Sequence, residues 1–207
     1  MGAKKSKESI LKSNELNQFH NITYFSNDTL QKLHKYYRHF SSVQTDDGVI
    51  DYNEFCIIIK KKENNLTKMI FNTIDVNLDG RINFPEFIKF ISVFINGSID
   101  EKISLSYKIF SNPETKVIEA QTMREILRDA ISVDENLSDF FTPDIMDLIV
   151  NETFAKLGLN YKENIKFDKY AEMIEKKPCI LSWLKIDLEK IKKVDNDKKS
   201  KRRTCIG

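Results

Sequence analysis

The stretch Phe71-Asn-Thr-Ile-Asp75-Val-Asn77-Leu-Asp79-Gly80-Arg81-Ile82-Asn83-Phe-Pro-Glu86-Phe87 decides how this chain is read. From Asp75 to Glu86, side-chain oxygens recur at loop positions 1, 3, 5, 9 and 12, on Asp75, Asn77, Asp79, Asn83 and Glu86. A calcium ion takes six to eight oxygens at about 2.3–2.6 Å, and alternate residues of a tight loop can aim that many at one point. Gly80, at position 6, permits the sharp turn this requires. Arg81, at position 7, offers its main-chain carbonyl, because a guanidinium has no acceptor for a cation. Glu86 can contribute both carboxylate oxygens, which favours calcium over the smaller, octahedral magnesium ion. Ile82, at position 8, is placed for a short β-bridge to a partner loop, and Phe71 and Phe87 flank the loop as core residues.

Working outward, the same pattern returns. A helix with aromatic or apolar residues, about a dozen loop residues with a β-branched residue near position 8, and a second helix recur around Ile50, Ile118 and Ile165. This is the helix–loop–helix of an EF-hand, and the sequence resembles a four-EF-hand protein along nearly its whole length. The expected fold is all-α: two lobes of paired EF-hands, residues 22–95 and 99–176, plus an apolar C-terminal helix at 177–192. A lead segment, 1–21, and a basic tail, 193–207, complete it. The third loop, 111–122, has Ser111, Pro113 and Thr115 at the early ligand positions, Lys116 for the glycine and Thr122 for the glutamate. The fourth, 158–169, has Gly158, Asn160 and Lys162, then Glu163 for the glycine, and Lys169 where the bidentate ligand belongs. These two are expected to persist as a folded pair without metal, since Val117, Ile118 and Ile165 keep the apolar bridge.

The first loop departs from the twelve-residue form. Counting back from Glu54 as position 12 puts Val43, a poor ligand, at position 1. With Tyr37 as the helix-flanking aromatic, the loop becomes Ser41 to Glu54, fourteen residues long. That form closely resembles the expanded first loop of the plant calcineurin B-like calcium sensors. The resemblance implies early ligands that are largely backbone carbonyls, with Asp47 and Glu54 as side-chain ligands. With fewer carboxylates the loop is either a weaker second calcium site or an empty loop that supports its neighbour. Residues 24–94 also resemble calcineurin B, and Gly97-Ser-Ile-Asp-Glu-Lys102 resembles the inter-lobe linker of neuronal calcium sensors and calaxin-type proteins. The segment Lys177-Pro-Cys-Ile-Leu-Ser-Trp183-Leu-Lys-Ile186 is similar to the apolar C-terminal helix of the calcineurin B-like group.

Composition sets the outer bounds. The 207 residues are 41% hydrophobic and 31% charged, enough apolar mass for a core and too polar for a membrane span of about 20 residues. The net charge of +2 is uneven: residues 1–7 carry +3, residues 190–203 carry +6, and the remainder about −7. An acidic body with basic ends does not suit a nucleic-acid reader, and it does suit a cation-binding body whose ends approach anionic lipid. Cys56, Cys179 and Cys205 read as reduced thiols. Met1-Gly2-Ala3-Lys4-Lys5-Ser6 fits the pattern for myristoylation of Gly2, with Lys4, Lys5 and Lys7 as the second membrane signal that a single acyl chain needs. No nucleophile elbow, phosphate loop or paired catalytic carboxylates are found, so no enzyme is expected.

The resemblance therefore implies a myristoylated calcium sensor, cytoplasmic and peripheral on the cytoplasmic face of a membrane. It would bind an amphipathic helix of a target enzyme, most readily a protein kinase. A calcineurin B-type phosphatase regulator or a calaxin-like axonemal component is the alternative. Phe84, Phe87, Phe90, Phe94, Phe110, Trp183 and Leu184 are the candidate lining of the partner groove.

Overall fold

The computed structural model describes residues 10–42, 44–45, 47–59, 62–131 and 141–176. Among the described residues the chain is helical: α1 (Ser13–Asn21), α2 (Asn27–Phe40), α3 (Tyr52–Ile59), α4 (Asn65–Ile74), α5 (Phe84–Asn96), α6 (Ile99–Phe110), α7 (Ala120–Ile131), α8 (Pro143–Lys156) and α9 (Phe167–Lys176). Extended structure among them is confined to two isolated antiparallel bridges, Ile50 with Ile82 and Ile118 with Ile165. These are the position-8 residues of the four loops, paired one with two and three with four, as the spacing predicts. None of the described helices is long and apolar enough to cross a membrane.

Local sequence explains where the helices start. Ser26 accepts the Thr29 N–H and Thr142 that of Ile145, with Pro143 pre-set for the first turn of α8. Ser98 and Glu101 close a reciprocal cap on α6, the Ser98 side chain accepting the Glu101 N–H and Glu101 the Ser98 N–H. Gly97 ends α5: a Cβ there would lie 2.4 Å from the Val93 carbonyl oxygen, so the close return of the chain requires glycine.

The described residues form two compact units, one within 10–59 and 74–97, the other of 62–73, 98–131 and 141–176. In the first, Phe84 packs edge-on against Phe19, His34 and Tyr37, and Tyr37 also meets Phe87. Phe25, Leu30, Leu33, Ile50, Ile82 and Ile88 are fully buried around them. In the second, Ile103, Ile109, Val150, Phe154, Ile165 and Ile174 are buried. Tyr107 packs on Phe167 and Tyr170, and the Tyr170 hydroxyl meets Ser106 Oγ at 2.9 Å. Arg124 of α7 and Asp147 of α8 form an ion pair across that unit.

Candidate metal centre

The second loop lies in the first unit. Asn83 caps α5, accepting the Glu86 N–H at 3.0 Å, while Glu86 Oε2 accepts the Asn83 N–H at 3.0 Å. This reciprocal cap fixes the Glu86 side chain. Its Oε1 then reaches back ten residues to accept the N–H groups of Val76 (3.0 Å) and Asn77 (3.4 Å). Asp75 closes the other side, accepting from Asp79 N–H (3.2 Å) and Gly80 N–H (2.9 Å). Gly80 stands at φ +80, a left-handed conformation that costs glycine little. Asp79 Oδ1 accepts the Arg81 N–H at 2.9 Å, and Asn77 Nδ2 donates to Asp79 Oδ2 at 2.9 Å.

Every predicted side-chain ligand of this loop is thus held by the loop's own hydrogen bonds. Asp75 and Glu86 are only 3% and 8% exposed. Among the described residues neither forms an ion pair. Two buried carboxylates with neutral N–H partners alone leave negative charge uncompensated, which is costly in a poorly solvated site. No three His, Cys, Asp or Glu side chains among the described residues form a compact metal cluster, since these carboxylates turn to separate N–H groups. The donor set itself is all hard oxygen, three carboxylates, two amides and a main-chain carbonyl, and fits calcium.

The first loop repeats this bonding. Asp51 caps α3 as Asn83 caps α5: it accepts the Glu54 N–H at 2.8 Å, and Glu54 Oε2 accepts its N–H at 3.2 Å. Glu54, fully buried, reaches back through Oε1 to the N–H groups of Gln44 (3.1 Å) and Thr45 (3.3 Å). Asp47 accepts from Val49 as Asp79 accepts from Arg81, and Gly48 has φ +81. Glu54, Asp51, Ile50, Gly48 and Asp47 therefore match Glu86, Asn83, Ile82, Gly80 and Asp79. From the end of α2 to Glu54 the loop has fourteen residues against twelve in the second, and the two extra fall between Ser41 and Gln44. Asp51, absent from the ligand set that the resemblance implies, stands at position 9 counted back from Glu54, the place that Asn83 takes in the second loop.

A second feature is also missed by sequence alone. The buried Tyr37 hydroxyl lies 2.9 Å from the Gly48 carbonyl oxygen and 2.8 Å from that of Ile82, sharing its proton across both loops. Burial raises its pKa well above the ordinary tyrosine value, opposed by Arg38 and reinforced by Asp47, Glu86 and Glu54. In the second unit Tyr107 does the same, 2.7 Å from the Lys116 carbonyl oxygen and 3.2 Å from that of Ile165. Lys116 has φ +56, so the third loop keeps the left-handed sixth position without glycine. Burial likewise raises the Tyr107 pKa.

Of the groove candidates, Phe84, Phe87, Phe90 and Phe110 are buried in this conformation and Phe94 is half-buried, stacked on Phe90. Trp183, Leu184, Gly2, Lys4, Lys5 and Lys7 lie outside the described residues.

No family model matches the chain. Among curated proteins it is 26% identical to calcineurin B-like protein 5 of Arabidopsis thaliana, over 79% of this chain and 81% of that protein. It is 26% identical to the calcineurin B protein of Schizosaccharomyces pombe, over 72% of this chain and 82% of that protein. It is 24% identical to neuronal calcium sensor 1 of Lymnaea stagnalis, over 89% of this chain and 96% of that protein. By name, one of these relatives is a calcium sensor and one is a subunit of calcineurin. Its described residues form four helix–loop–helix segments joined by two loop-to-loop bridges, an arrangement consistent with an all-α EF-hand protein, and most of the chain is similar to calcineurin B-like, calcineurin B and neuronal calcium sensor proteins.

Proposed function

We propose that the chain is a calcium-responsive regulatory protein. The carrying observation is the pair Asp75 and Glu86: both buried, both on one loop, and neither in an ion pair among the described residues. Asp75, Asn77, Asp79, Asn83 and Glu86 would hold the ion with the Arg81 carbonyl, and Asp47, Asp51 and Glu54 would serve a weaker site in the first loop. Bound calcium would supply the positive charge that the buried carboxylates lack. Tyr37 and the Ile50–Ile82 bridge hold the two loops in register.

The target is an amphipathic helix of an enzyme, and a protein kinase is the reading that the calcineurin B-like relative supports. Myristoylation of Gly2, with Lys4, Lys5 and Lys7, would place the protein on the cytoplasmic face of an anionic membrane. Similarity to calcineurin B supports a second reading, a permanent regulatory chain of a phosphatase. Native mass spectrometry of the wild type and Glu86→Gln tests calcium binding: one or two ions, with one lost in the variant, supports the proposal, and no ion at near-millimolar calcium refutes it. Retention of a catalytic chain under chelation would favour the permanent regulator.

A further inference from the structure

The two loops of the first unit contain seven carboxylate residues and a single cationic one, Arg81. Its main chain belongs to the second loop, yet its guanidinium points to the first: Arg81 Nη1 lies 3.8 Å from Asp47 Oδ2. The other oxygen of Asp47 accepts the Val49 N–H at 3.2 Å. The neighbouring residue, Ile82, exchanges both main-chain hydrogen bonds with Ile50, at 2.8 and 3.0 Å. That exchange fixes the register of the two loops and keeps Arg81 beside the first.

We propose that Arg81 is a resident counter-cation of the first loop, which competes with calcium for the Asp47 carboxylate and so couples the occupancy of the two loops. This rests on the calcium reading above. A calcium ion in the first loop needs Asp47 as a ligand and repels a guanidinium close by, so filling that loop displaces the Arg81 side chain. Displacement acts on a residue whose own carbonyl is a ligand of the second loop, and linkage makes the coupling reciprocal. The side chains are 59% and 41% exposed, so solvent screens the pair and the effect is modest. An exposed pair of this kind corresponds to roughly a two- to five-fold change in affinity.

Calcium titration calorimetry of the full chain at low ionic strength tests this, with the steps assigned by Glu54→Gln and Glu86→Gln. Arg81→Gln should strengthen the first-loop step roughly two- to five-fold more than the second-loop step. Added salt should shrink that difference, and an Asp47→Asn background should abolish it. The Arg81 Nε–H resonance of the wild type should move when the first loop fills. An unchanged or weakened first-loop step, an equal rise in both, or a difference that survives Asp47→Asn overturns the proposal. One ion in the second loop and none in the first, in wild type and Arg81→Gln alike, also overturns it while leaving the calcium reading intact. No ion in either loop overturns both.

Discussion

Replacing Lys116 by glycine should stabilise the protein, although it removes a side chain and touches no core residue. Lys116 sits at φ +56, and for an L-residue that left-handed conformation costs about 1–2 kcal/mol. Glycine relieves the strain but adds freedom to the unfolded chain, an opposing effect of about 0.5–1 kcal/mol. The Lys116 side chain is exposed. Its main-chain bonds, the N–H to the Asn112 carbonyl at 2.9 Å and the carbonyl to the Tyr107 hydroxyl, do not depend on it. The net gain is then about 0.5–1 kcal/mol. At a urea slope of roughly 2 kcal/mol per M the midpoint should rise by about 0.3–0.5 M. Gly80→Ala is the reverse experiment at the matching position of the second loop. Gly80 has φ +80 and no atom within 4 Å of the added Cβ, so no clash adds to the balance of strain and chain entropy and a fall of similar size is expected. Urea unfolding of the calcium-free protein, followed by circular dichroism, measures both without a ligand contribution. A lowered midpoint for Lys116→Gly would show that backbone strain is not the main cost of the third loop's missing glycine.

Other outcomes follow from the same geometry. Tyr107→Phe leaves the Lys116 carbonyl without its hydroxyl partner and should cost about 1–3 kcal/mol in a thermal melt, equally with calcium and with chelator. Gly97→Ala forces a methyl against the Val93 carbonyl and should destabilise by about 1–3 kcal/mol; a melt at wild-type temperature would contradict the contact. The Tyr170 pKa is pushed up to about 12 by burial, against the lowering effect of its hydrogen bond with Ser106. The folded state therefore holds its proton more tightly than the unfolded chain. Its contribution is intact below pH 10 and declines between pH 10 and 12 by about 1.4 kcal/mol per pH unit. Tyr170→Phe should remove that share of the alkaline decline in denaturation midpoints.

Much of this is legible in the sequence because the chemistry of such a loop is local. Asp75, Asn77, Asp79, Gly80, Asn83 and Glu86 lie within twelve residues, and loop spacing alone puts Ile50 opposite Ile82 and Ile118 opposite Ile165. The contacts that sequence does not reveal depend on how two loops meet. Nothing in the run around Arg81 says that its guanidinium lies beside Asp47, thirty-four residues earlier. Lys116 reads as a lost glycine, yet its backbone adopts the glycine conformation because the neighbouring bonds hold it there. The Tyr37 and Tyr107 hydroxyls have an unused signal. Four residues before each loop the chain carries Tyr37, Phe71, Tyr107 and Phe154, so the hydroxyl appears in the first hand of each pair and is absent from the second.

That alternation explains how the second unit keeps its loops. A loop of this shape needs acceptors to gather its N–H groups and a donor to hold its carbonyls. In the first unit the acceptors are largely carboxylates, and their charge invites a cation. In the second they include neutral amides: Asn112 Oδ1 accepts from Glu114 (2.8 Å) and Thr115 (3.2 Å), and Asn160 Oδ1 from Lys162 (2.7 Å). Glu163 takes the Asn160 N–H at 2.8 Å, but it sits at position 6, and Lys169 stands at position 12. The donor is common to both units, since each first hand supplies a tyrosine hydroxyl that ties its own sixth carbonyl to the partner loop. Loop geometry and cation demand are thus carried by different residues. Removing the carboxylates abolishes the demand while the tyrosine and the isoleucine bridge preserve the shape, so on the calcium reading proposed above the first unit would respond to the ion while the second keeps its loops without it.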